Sequence, residues 1–268
     1  MIIGKHCFDL DRDYPVMGIL NATPDSFSDG GQYLDVEKAV AHALQMIEEG
    51  ATIIDVGGES TRPGHQEVTA EEEIARVVPV IKGIRQVSDV AISIDTMKSA
   101  VAEAALQNGA DMLNDVWGAK RDPRMASIAA KYQVPICLMH NRERAEYHHL
   151  IPDVLMDLEE SVAIAFKAGV TKDKIILDPG IGFGKSLEDN LMCMRHLEAV
   201  VGLGYPVLLG TSRKSMIGLT LGLPVTEREE GTLATTVYGM LKGCHIFRVH
   251  NVQANTRAID MTKAMRGN

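Results

Sequence analysis

The residue types best suited to chemistry stand directly after short apolar runs of the chain. The run at residues 175–177 ends at Asp178 and continues into the glycine-rich segment PGIGFGK. The run at residues 207–209 leads into GTSRKS, which carries Lys214 and Ser215. Short β-branched runs are typical of buried parallel strands, and the polar groups that follow such strands meet at one edge of the sheet. We therefore expect one edge to gather the chemistry of this chain.

Three of the strand-end residues offer hydrogen-bond acceptors and an amide: Asp95, Asn114 and Asp178. A carboxylate can accept two parallel hydrogen bonds from a ring N–H and an exocyclic amine, so this set suits a flat, donor-rich heterocycle such as an aminopyrimidinone. An aspartate after a strand can instead cap the next helix. Either acid alone could therefore be structural, but the three residues together favour a binding pocket.

A second group of strand-end residues is basic and could bind a phosphate or diphosphate, together with Asn21 and the backbone N–H groups of glycine-rich turns. The group comprises Arg62, Lys214, Arg248 and His250. A basic residue is usually solvated, but Arg248 lies inside an apolar run. Asn21 with Asp25 or Asp29 could hold Mg²⁺ together with phosphate oxygens, because this ion uses few protein ligands. The residue types thus predict a basic pole opposite the acidic one.

The elements that must position these residues repeat along the chain as strand-then-helix units. Eight strands are predicted at residues 16–20, 53–56, 91–94, 112–113, 134–139, 175–177, 207–209 and 246–249. Five predicted helices end in a glycine just before the next strand, at Gly50, Gly109, Gly169, Gly204 and Gly243. Helix starts are predicted by capping boxes at Thr69 with Glu72 and at Thr226 with Glu229, and by Ser186 with Asp189.

Eight units of about 33 residues match the size of an eight-fold barrel of about 250 residues. A doubly wound sheet would have fewer strands and a GxGxxG turn after the first of them. We therefore predict an α/β fold, a single (β/α)8 TIM barrel at residues 16–268 after a short N-terminal segment at residues 1–15. The site of such a barrel lies at the carboxyl ends of the strands. The residues there are Asn21, the turn at residues 57–62, Asp95, Asn114, Met139 with His140, Asp178, Lys214, and Arg248 with His250.

Composition limits the classes of partner and compartment. The 268 residues are 46% hydrophobic, yet no stretch is long and apolar enough for a membrane span. The net charge of −9 argues against nucleic acid as the main partner. Four widely spaced cysteines without a CxxC pair predict reduced thiols in a cytoplasmic protein and no zinc site.

Several segments together resemble the dihydropteroate synthase family of bacterial folate biosynthesis. They are GILNATPDSFSDGG, IIDVGGESTRPG, SIDT, LDPGIGFGK, LLGTSRKSMIG and FRVHNV, and the likeness covers nearly the whole chain. The resemblance implies condensation of 6-hydroxymethyl-7,8-dihydropterin diphosphate with p-aminobenzoate, giving 7,8-dihydropteroate and pyrophosphate. It also implies Mg²⁺ as a cofactor and a homodimer formed through the later helices.

By position, the resemblance also implies the roles of individual residues. The family's catalytic positions fall on Asp95, Asp178, Lys214, Arg248 and His250. Its pterin pocket falls on Asp95, Asn114, Asp178 and Lys214, with Met139, Phe183 and Arg248 packed around the ring. Its diphosphate pocket falls on Asn21, Arg248 and His250, with Thr61 nearby and Asn21 contacting Mg²⁺. Its p-aminobenzoate site falls on Thr61, Arg62, Pro63, Lys214 and Ser215. The mobile loop that closes this site carries Asp25, Phe27, Ser28 and Asp29.

The family's mechanism is dissociative, so that C–O cleavage precedes attack by the neutral amine. Carboxylates near the pterin then stabilise the developing cation, while Mg²⁺, Arg248 and His250 stabilise the departing pyrophosphate. The chain departs from the family at Asn251, where an aspartate is common, and in the variable loop after His140. Neither departure removes a residue with an implied binding role.

Three other functions remain open at the level of sequence. A pterin-dependent methyltransferase can share the barrel, but would be expected to have a corrinoid or thiol partner. An inactive pterin-binding paralogue would be expected to have lost Lys214, Arg62 or the SFSDGG loop, and all of these are present. A Schiff-base lyase would use a lysine that projects from a strand, whereas Lys214 follows a Gly-Thr-Ser-Arg turn.

Overall fold

The computed structural model of the protein describes residues 1–22, 31–59 and 68–267, except for the side chains of residues 31–34. Some of the residues that sequence analysis assigns to the site lie outside these ranges, namely Asp25, Phe27, Ser28, Asp29, Thr61, Arg62 and Pro63. Their roles at the p-aminobenzoate site and in the closing loop therefore stay predictions.

Short strands recur throughout the described residues. They are β1 (Ile2–Ile3), β2 (His6–Cys7), β3 (Val16–Asn21), β4 (Ile53–Gly57), β5 (Ala91–Asp95), β6 (Met112–Asp115), β7 (Ile136–Met139), β8 (Ile175–Asp178), β9 (Leu208–Leu209) and β10 (Ile246–Val249). The first two form an antiparallel hairpin. The other eight form one parallel sheet in the order β8-β7-β6-β5-β4-β3-β10-β9.

The sheet curves round until its two outer strands, β8 and β9, meet. A parallel bridge pairs Leu177 with Val207, and the backbone N–H of Leu177 donates to the carbonyl of Pro206 at 2.9 Å. The result is an eight-stranded parallel barrel, as the strand-then-helix repeat predicts. The prediction of a TIM-barrel fold is confirmed.

Helices connect the strands on the outside of the barrel. The described residues form α1 (Leu10–Asp13), α2 (Gly31–Glu48), α3 (Ala70–Val87), α4 (Ser99–Gln107), α5 (Arg124–Tyr132), α6 (Leu150–Lys167), α7 (Leu187–Arg195), α8 (Leu197–Val201), α9 (Ser215–Leu221), α10 (Glu229–Leu241) and α11 (Val252–Arg266). Within those residues, no helix has the length and apolar character needed to span a membrane.

Alternation along each strand separates two apolar clusters. Residues that point outward, such as Ile54, Leu113 and Phe247, pack with the helices. Residues that point inward fill the amino-terminal end of the barrel, where Ile3, Phe8 and Leu10 of the N-terminal segment join the same cluster. The inward residues are Met17, Ile53, Ala91, Met112, Cys137, Ile176, Leu208 and Ile246. One end of the barrel is therefore apolar and plugged.

Most of the predicted helix boundaries are confirmed. Capping boxes open α3 and α7, and the five helix-ending glycines all have positive φ. The capping box predicted at Thr226 with Glu229 is wrong. Pro224 precedes a 3-10 turn at Val225–Glu227 that includes Thr226, so α10 starts later, after Arg228, without a side-chain cap. A further helix, α9, which sequence analysis does not predict, begins directly after Lys214.

Candidate active site

The layer above the apolar plug is polar. Because side chains on one strand alternate, residues two positions beyond the plug residues also point into the barrel. These residues include Asp55, Ser93, Asn114, Met139, Asp178 and Arg248, and all except Arg248 are buried. Asn21, Gly57 and Asp95 follow two positions further on β3, β4 and β5. The strand ends thus form a polar pocket at the mouth of the barrel.

Arg248 lies at the centre of this pocket, between two carboxylates. Its Nε donates to Oδ2 of Asp55 at 2.6 Å, and its Nη2 donates to Oδ2 of Asp95 at 2.7 Å. The same oxygen of Asp55 accepts a hydrogen bond from Nδ2 of Asn114 at 3.1 Å. The predicted separation into an acidic and a basic pole is therefore wrong for Arg248, since the folded barrel pairs this residue with the acids.

Burial dominates the electrostatics of Asp95. It raises the pKa of Asp95 to about 7, although the guanidinium of Arg248 opposes the rise. Burial also disfavours the charge of Arg248, but Asp55 and Asp95 more than offset that effect and raise the pKa of the guanidinium. Within the described part of the chain, Oδ1 of Asp55 and Oδ1 of Asp95 are buried without a hydrogen-bond partner. Two acceptors are therefore available for the donors of a ligand.

Asp178, Lys214 and Phe183 form the neighbouring wall of the pocket. Oδ1 of Asp178 accepts a hydrogen bond from the backbone N–H of Gly180 at 2.7 Å. Nζ of Lys214 donates to the carbonyl of Ile181 and lies 4.6 Å from the centre of the Phe183 ring. Burial raises the pKa of Asp178 and lowers that of Lys214 to about 8, and the two opposite charges moderate both shifts. The structure thus brings together, from the end of β8 and two loops, three residues that sequence analysis assigns to one pocket.

The segment at residues 179–185, which we call the glycine-rich loop, is packed closely against its neighbours at two of its glycines. Gly180 has a φ of 67°, and a Cβ atom there would lie 1.9 Å from the carbonyl oxygen of His140. A Cβ atom on Gly182 would lie 3.0 Å from Cδ of Lys214. Glycine is required at Gly180 because both the left-handed backbone and the close contact exclude a side chain.

The remaining predicted residues surround this core. His250 lies at the end of β10, where its Nδ1 is 2.9 Å from Oγ of Ser212 and its backbone N–H donates to the same oxygen. Met139 is buried at the end of β7, and Ser215 is exposed at the start of α9. Asn21 ends β3, with its Oδ1 directed to the space beside Gly57.

His140 does not belong to the rim, contrary to prediction. It follows the inward-pointing Met139, so its side chain turns to the outside of the barrel. There it is fully buried and contacts Asp157 and Lys185. The alternation of the strand could have revealed this, since neighbouring residues cannot both face the mouth.

Sequence analysis missed two residues that complete the pocket. Asp55 interrupts the apolar run IIDVG and lies two positions before Gly57. Its position inside an otherwise β-branched strand was the available signal, because a charge there must be paired. Ser212, the hydrogen-bond partner of His250, carried no such signal.

A family profile and the relatives of known sequence assign this chain to the same family. A profile described as "Pterin binding enzyme" matches residues 17–250. The chain is 58% identical to the dihydropteroate synthase of Clostridium beijerinckii over 263 residues, which covers 98% of each chain.

Solved structures agree with this match. A dihydropteroate synthase of Clostridium difficile, determined in the presence of pteroic acid, is 49% identical and superposes with a TM-score of 0.94, over 97% of this chain and 99% of that one. The enzyme of Xanthomonas albilineans, determined with 4-aminobenzoic acid, is 42% identical with a TM-score of 0.92, over 97% and 95% of the two chains.

Proposed function

The chain belongs to the pterin-binding enzyme family and, within it, to the dihydropteroate synthases, and we propose that the polar pocket at the mouth of its barrel binds both substrates of that reaction. The reaction condenses 6-hydroxymethyl-7,8-dihydropterin diphosphate with p-aminobenzoate and yields 7,8-dihydropteroate and pyrophosphate. Related enzymes have been determined with pteroic acid and with 4-aminobenzoic acid. These ligands support the substrate classes proposed for this chain.

The two buried carboxylate oxygens without a partner carry the proposal for the pterin. A pterin ring presents an N–H and an exocyclic amine on one edge, and such donors match acceptors that the described residues leave unpaired at Asp55 and Asp95. Asn114 adds an amide, and Asp178 adds a third carboxylate across the pocket. Met139 and Phe183 supply apolar surface for the faces of the ring.

Arg248 and His250 are proposed to bind the diphosphate. A guanidinium has five N–H donors, and its bonds to Asp55 and Asp95 account for two of them. Arg248 can therefore hold the pterin-binding carboxylates in place and still donate to phosphate oxygens. His250 lies two residues further along the same strand end, beside Ser212.

Magnesium is part of the proposal, and the donor at Asn21 fits this ion. Among the described residues, no group of three or more His, Cys, Asp or Glu side chains could hold a metal. Mg²⁺ does not need such a group, because it keeps several waters and binds mainly to phosphate oxygens. Asn21 would hold the ion with Asp25 or Asp29 from the loop. When bound, Mg²⁺ would neutralise charge on the leaving diphosphate.

The proposed chemistry is dissociative and uses no dedicated general base. Ionised Asp95 and Asp178 stabilise positive charge that develops on the pterin, while Arg248 and His250 stabilise the pyrophosphate that leaves. Lys214, with its ammonium held by Ile181 and Phe183, is placed to contact both substrates. p-Aminobenzoate attacks as the neutral amine, so proton removal is not required before the new C–N bond forms.

A homodimer is proposed to form through the last helices. Large apolar side chains are exposed on this side of the barrel, namely Leu219, Leu221, Tyr238, Leu241, Met261 and Met265 of α9, α10 and α11. Exposed apolar groups in this number are typical of association surfaces. A cytoplasmic location is also proposed, and it is supported by the four cysteines, which form no disulfide in the structure.

Product formation tests the proposed function. The purified chain is incubated with dihydropterin diphosphate, p-aminobenzoate and Mg²⁺, and 7,8-dihydropteroate is separated by chromatography. We expect product only when both substrates are present. A chain that binds the pterin but makes no product would be an inactive paralogue, and one that instead demethylates a methylated pterin would be a methyltransferase.

Pterin affinity should fall in acid because Asp95 must be ionised to accept two hydrogen bonds. The pKa of Asp95 is raised to about 7 by burial, so the carboxylate takes up a proton as the pH falls below that value. We expect the affinity for 6-hydroxymethyl-7,8-dihydropterin to fall by about tenfold for each pH unit below 7. Calorimetry with the pterin lacking its diphosphate avoids titration of the phosphate. An affinity that stays constant between about pH 5 and pH 7 would contradict the role of Asp95.

A further inference from the structure

A hydrogen-bonded triad of side chains, Lys185, His140 and Asp157, lies behind the glycine-rich loop and outside the proposed substrate pocket. Nε2 of His140 lies 3.1 Å from Oδ2 of Asp157, and Nδ1 of the same ring lies 2.7 Å from Nζ of Lys185. Nζ of Lys185 also donates to the carbonyls of Gly180 at 3.0 Å and Phe183 at 3.2 Å. The proposed reaction assigns no role to any of the three.

The contacts determine how the histidine is protonated. An ammonium has no acceptor, so Nδ1 of His140 must accept from Lys185, and the ring proton must lie on Nε2, where it is donated to Asp157. Burial, and next the charge of Lys185, lower the pKa of His140 to about 3, which keeps the ring neutral. Burial lowers the pKa of Lys185 to about 8, so this side chain remains mostly charged at neutral pH. The chain of hydrogen bonds therefore runs in one direction, from Lys185 to Asp157.

The glycine-rich loop connects the triad of Lys185, His140 and Asp157 to the pocket. Lys185 bonds to the loop at Gly180 and Phe183. Between these two residues lies the carbonyl of Ile181 that accepts from Lys214, and the ring of Phe183 covers the same ammonium. Two of the groups that hold the Lys214 ammonium therefore belong to a segment whose backbone Lys185 fixes from behind.

We propose that Lys185, oriented by His140 and Asp157, is a positioning residue that sets the place of the Ile181 carbonyl and the Phe183 ring, and through them the place of Lys214 in the pocket. This inference rests on the proposed function, because it assigns Lys214 to the substrates. It adds three residues to the machinery of the reaction without placing any of them in contact with substrate.

Other hydrogen bonds hold the glycine-rich loop when those of Lys185 are removed. The backbone N–H of Gly182 donates to Oδ1 of Asn190 at 2.6 Å, and Oη of Tyr147 donates to the carbonyl of Gly184 at 2.6 Å. Removal of the Lys185 ammonium should therefore release the carbonyls of Gly180 and Phe183, while Gly182 and Gly184 keep their bonds to Asn190 and Tyr147. A variant at Lys185 is expected to fold.

The first test replaces Lys185 with methionine, which keeps the stem and removes the ammonium. A misplacement of about 1 Å at a catalytic group can cost on the order of 100-fold in rate, and we expect a loss of this size in kcat/KM for dihydropterin diphosphate. Lys131→Met is the matched control, because Lys131 bonds Glu103 on the exposed surface, away from the pocket. Melting temperatures of both variants report any general loss of stability.

The second test separates positioning from simple packing. At His140, asparagine places an amide oxygen near the site of Nδ1 and can still accept from Lys185, whereas glutamine places its amide near Nε2 and can only reach Asp157. We expect His140→Asn to retain most of the kcat/KM for dihydropterin diphosphate and His140→Gln to lose as much as Lys185→Met. A role in packing alone predicts the opposite order, since glutamine is closer to histidine in size.

Three outcomes decide the matter. The proposal is supported if His140→Asn, which keeps an acceptor for Lys185, retains more kcat/KM than His140→Gln. In that case the melting temperatures of the two variants should depend on side-chain size instead. It is overturned if Lys185→Met has wild-type kinetics, or if His140→Gln is the more active of the two His140 variants. If the wild-type chain itself makes no dihydropteroate, the proposed function fails instead, and this result is distinguishable because it appears without any substitution.

Discussion

Asp178→Asn is expected to fold and to lose about 10³-fold in kcat/KM for dihydropterin diphosphate, because loss of one partner in a buried, charged hydrogen bond costs about 2–5 kcal/mol. The amide keeps one oxygen, which the backbone N–H of Gly180 already occupies in the native protein. The other position becomes an NH₂ group, which would face the donors of the pterin in the proposed site. The charge that would stabilise the pterin cation is lost as well.

Asp115→Asn is the matched control for this prediction. Asp115 is also buried and also ends a barrel strand, but its carboxylate accepts from the backbone N–H groups of Trp117 and Ala119 on the outside of the barrel. Steady-state kinetics of both variants should show a loss for Asp178→Asn alone. Equal kinetics for Asp178→Asn and the wild-type enzyme would remove Asp178 from the pterin site.

Arg248→Ala should abolish most turnover and also destabilise the barrel. Removal of the guanidinium leaves Asp55 and Asp95 buried without their counter-charge, and breaking a buried ion pair in this way costs about 3–5 kcal/mol of unfolding free energy. The pKa of Asp95, already raised to about 7, would then rise further, so that this carboxyl is protonated at neutral pH. The proposed pterin and diphosphate sites would both lose binding groups.

Arg248→Lys separates the two effects. Lysine keeps the positive charge between the carboxylates but cannot bond Asp55, Asp95 and a phosphate with one planar fork. We expect most of the stability to return and kcat to remain low. Urea unfolding together with single-turnover kinetics measures the two quantities. Wild-type turnover in Arg248→Lys would show that only charge is required, and wild-type turnover in Arg248→Ala would show that the diphosphate binds elsewhere.

The barrel could be predicted because each of its strands and helices has a recognisable local sequence pattern. Each strand is a short apolar run, and five of the returns to the sheet pass through a glycine such as Gly50 or Gly169. The same local signals place Asn114 and Asp178 at strand ends. The wrong prediction of a capping box at Thr226 also arose from a local pattern. That pattern does not reveal that a separate turn follows Pro224.

Pairings within the pocket could not be predicted from local signals. Arg248 and Asp55 are 193 positions apart in sequence, and only closure of the barrel brings them within 2.6 Å. The bond between Lys185 and His140 likewise requires two neighbouring strands to deliver their loops to one side. Local patterns identify most of the residues that reach the rim, but the three-dimensional register decides which of them meet.

Pyrophosphate release tests the central claim most directly, which is that the polar mouth of this barrel is a dihydropteroate synthase site. The purified chain is mixed with dihydropterin diphosphate and Mg²⁺, with and without p-aminobenzoate, and pyrophosphate and dihydropteroate are measured together. We predict that pterin binds in both cases and that p-aminobenzoate brings release of one pyrophosphate for each dihydropteroate formed. Tight pterin binding without release under either condition would contradict catalysis, and failure to bind the pterin would contradict the site itself.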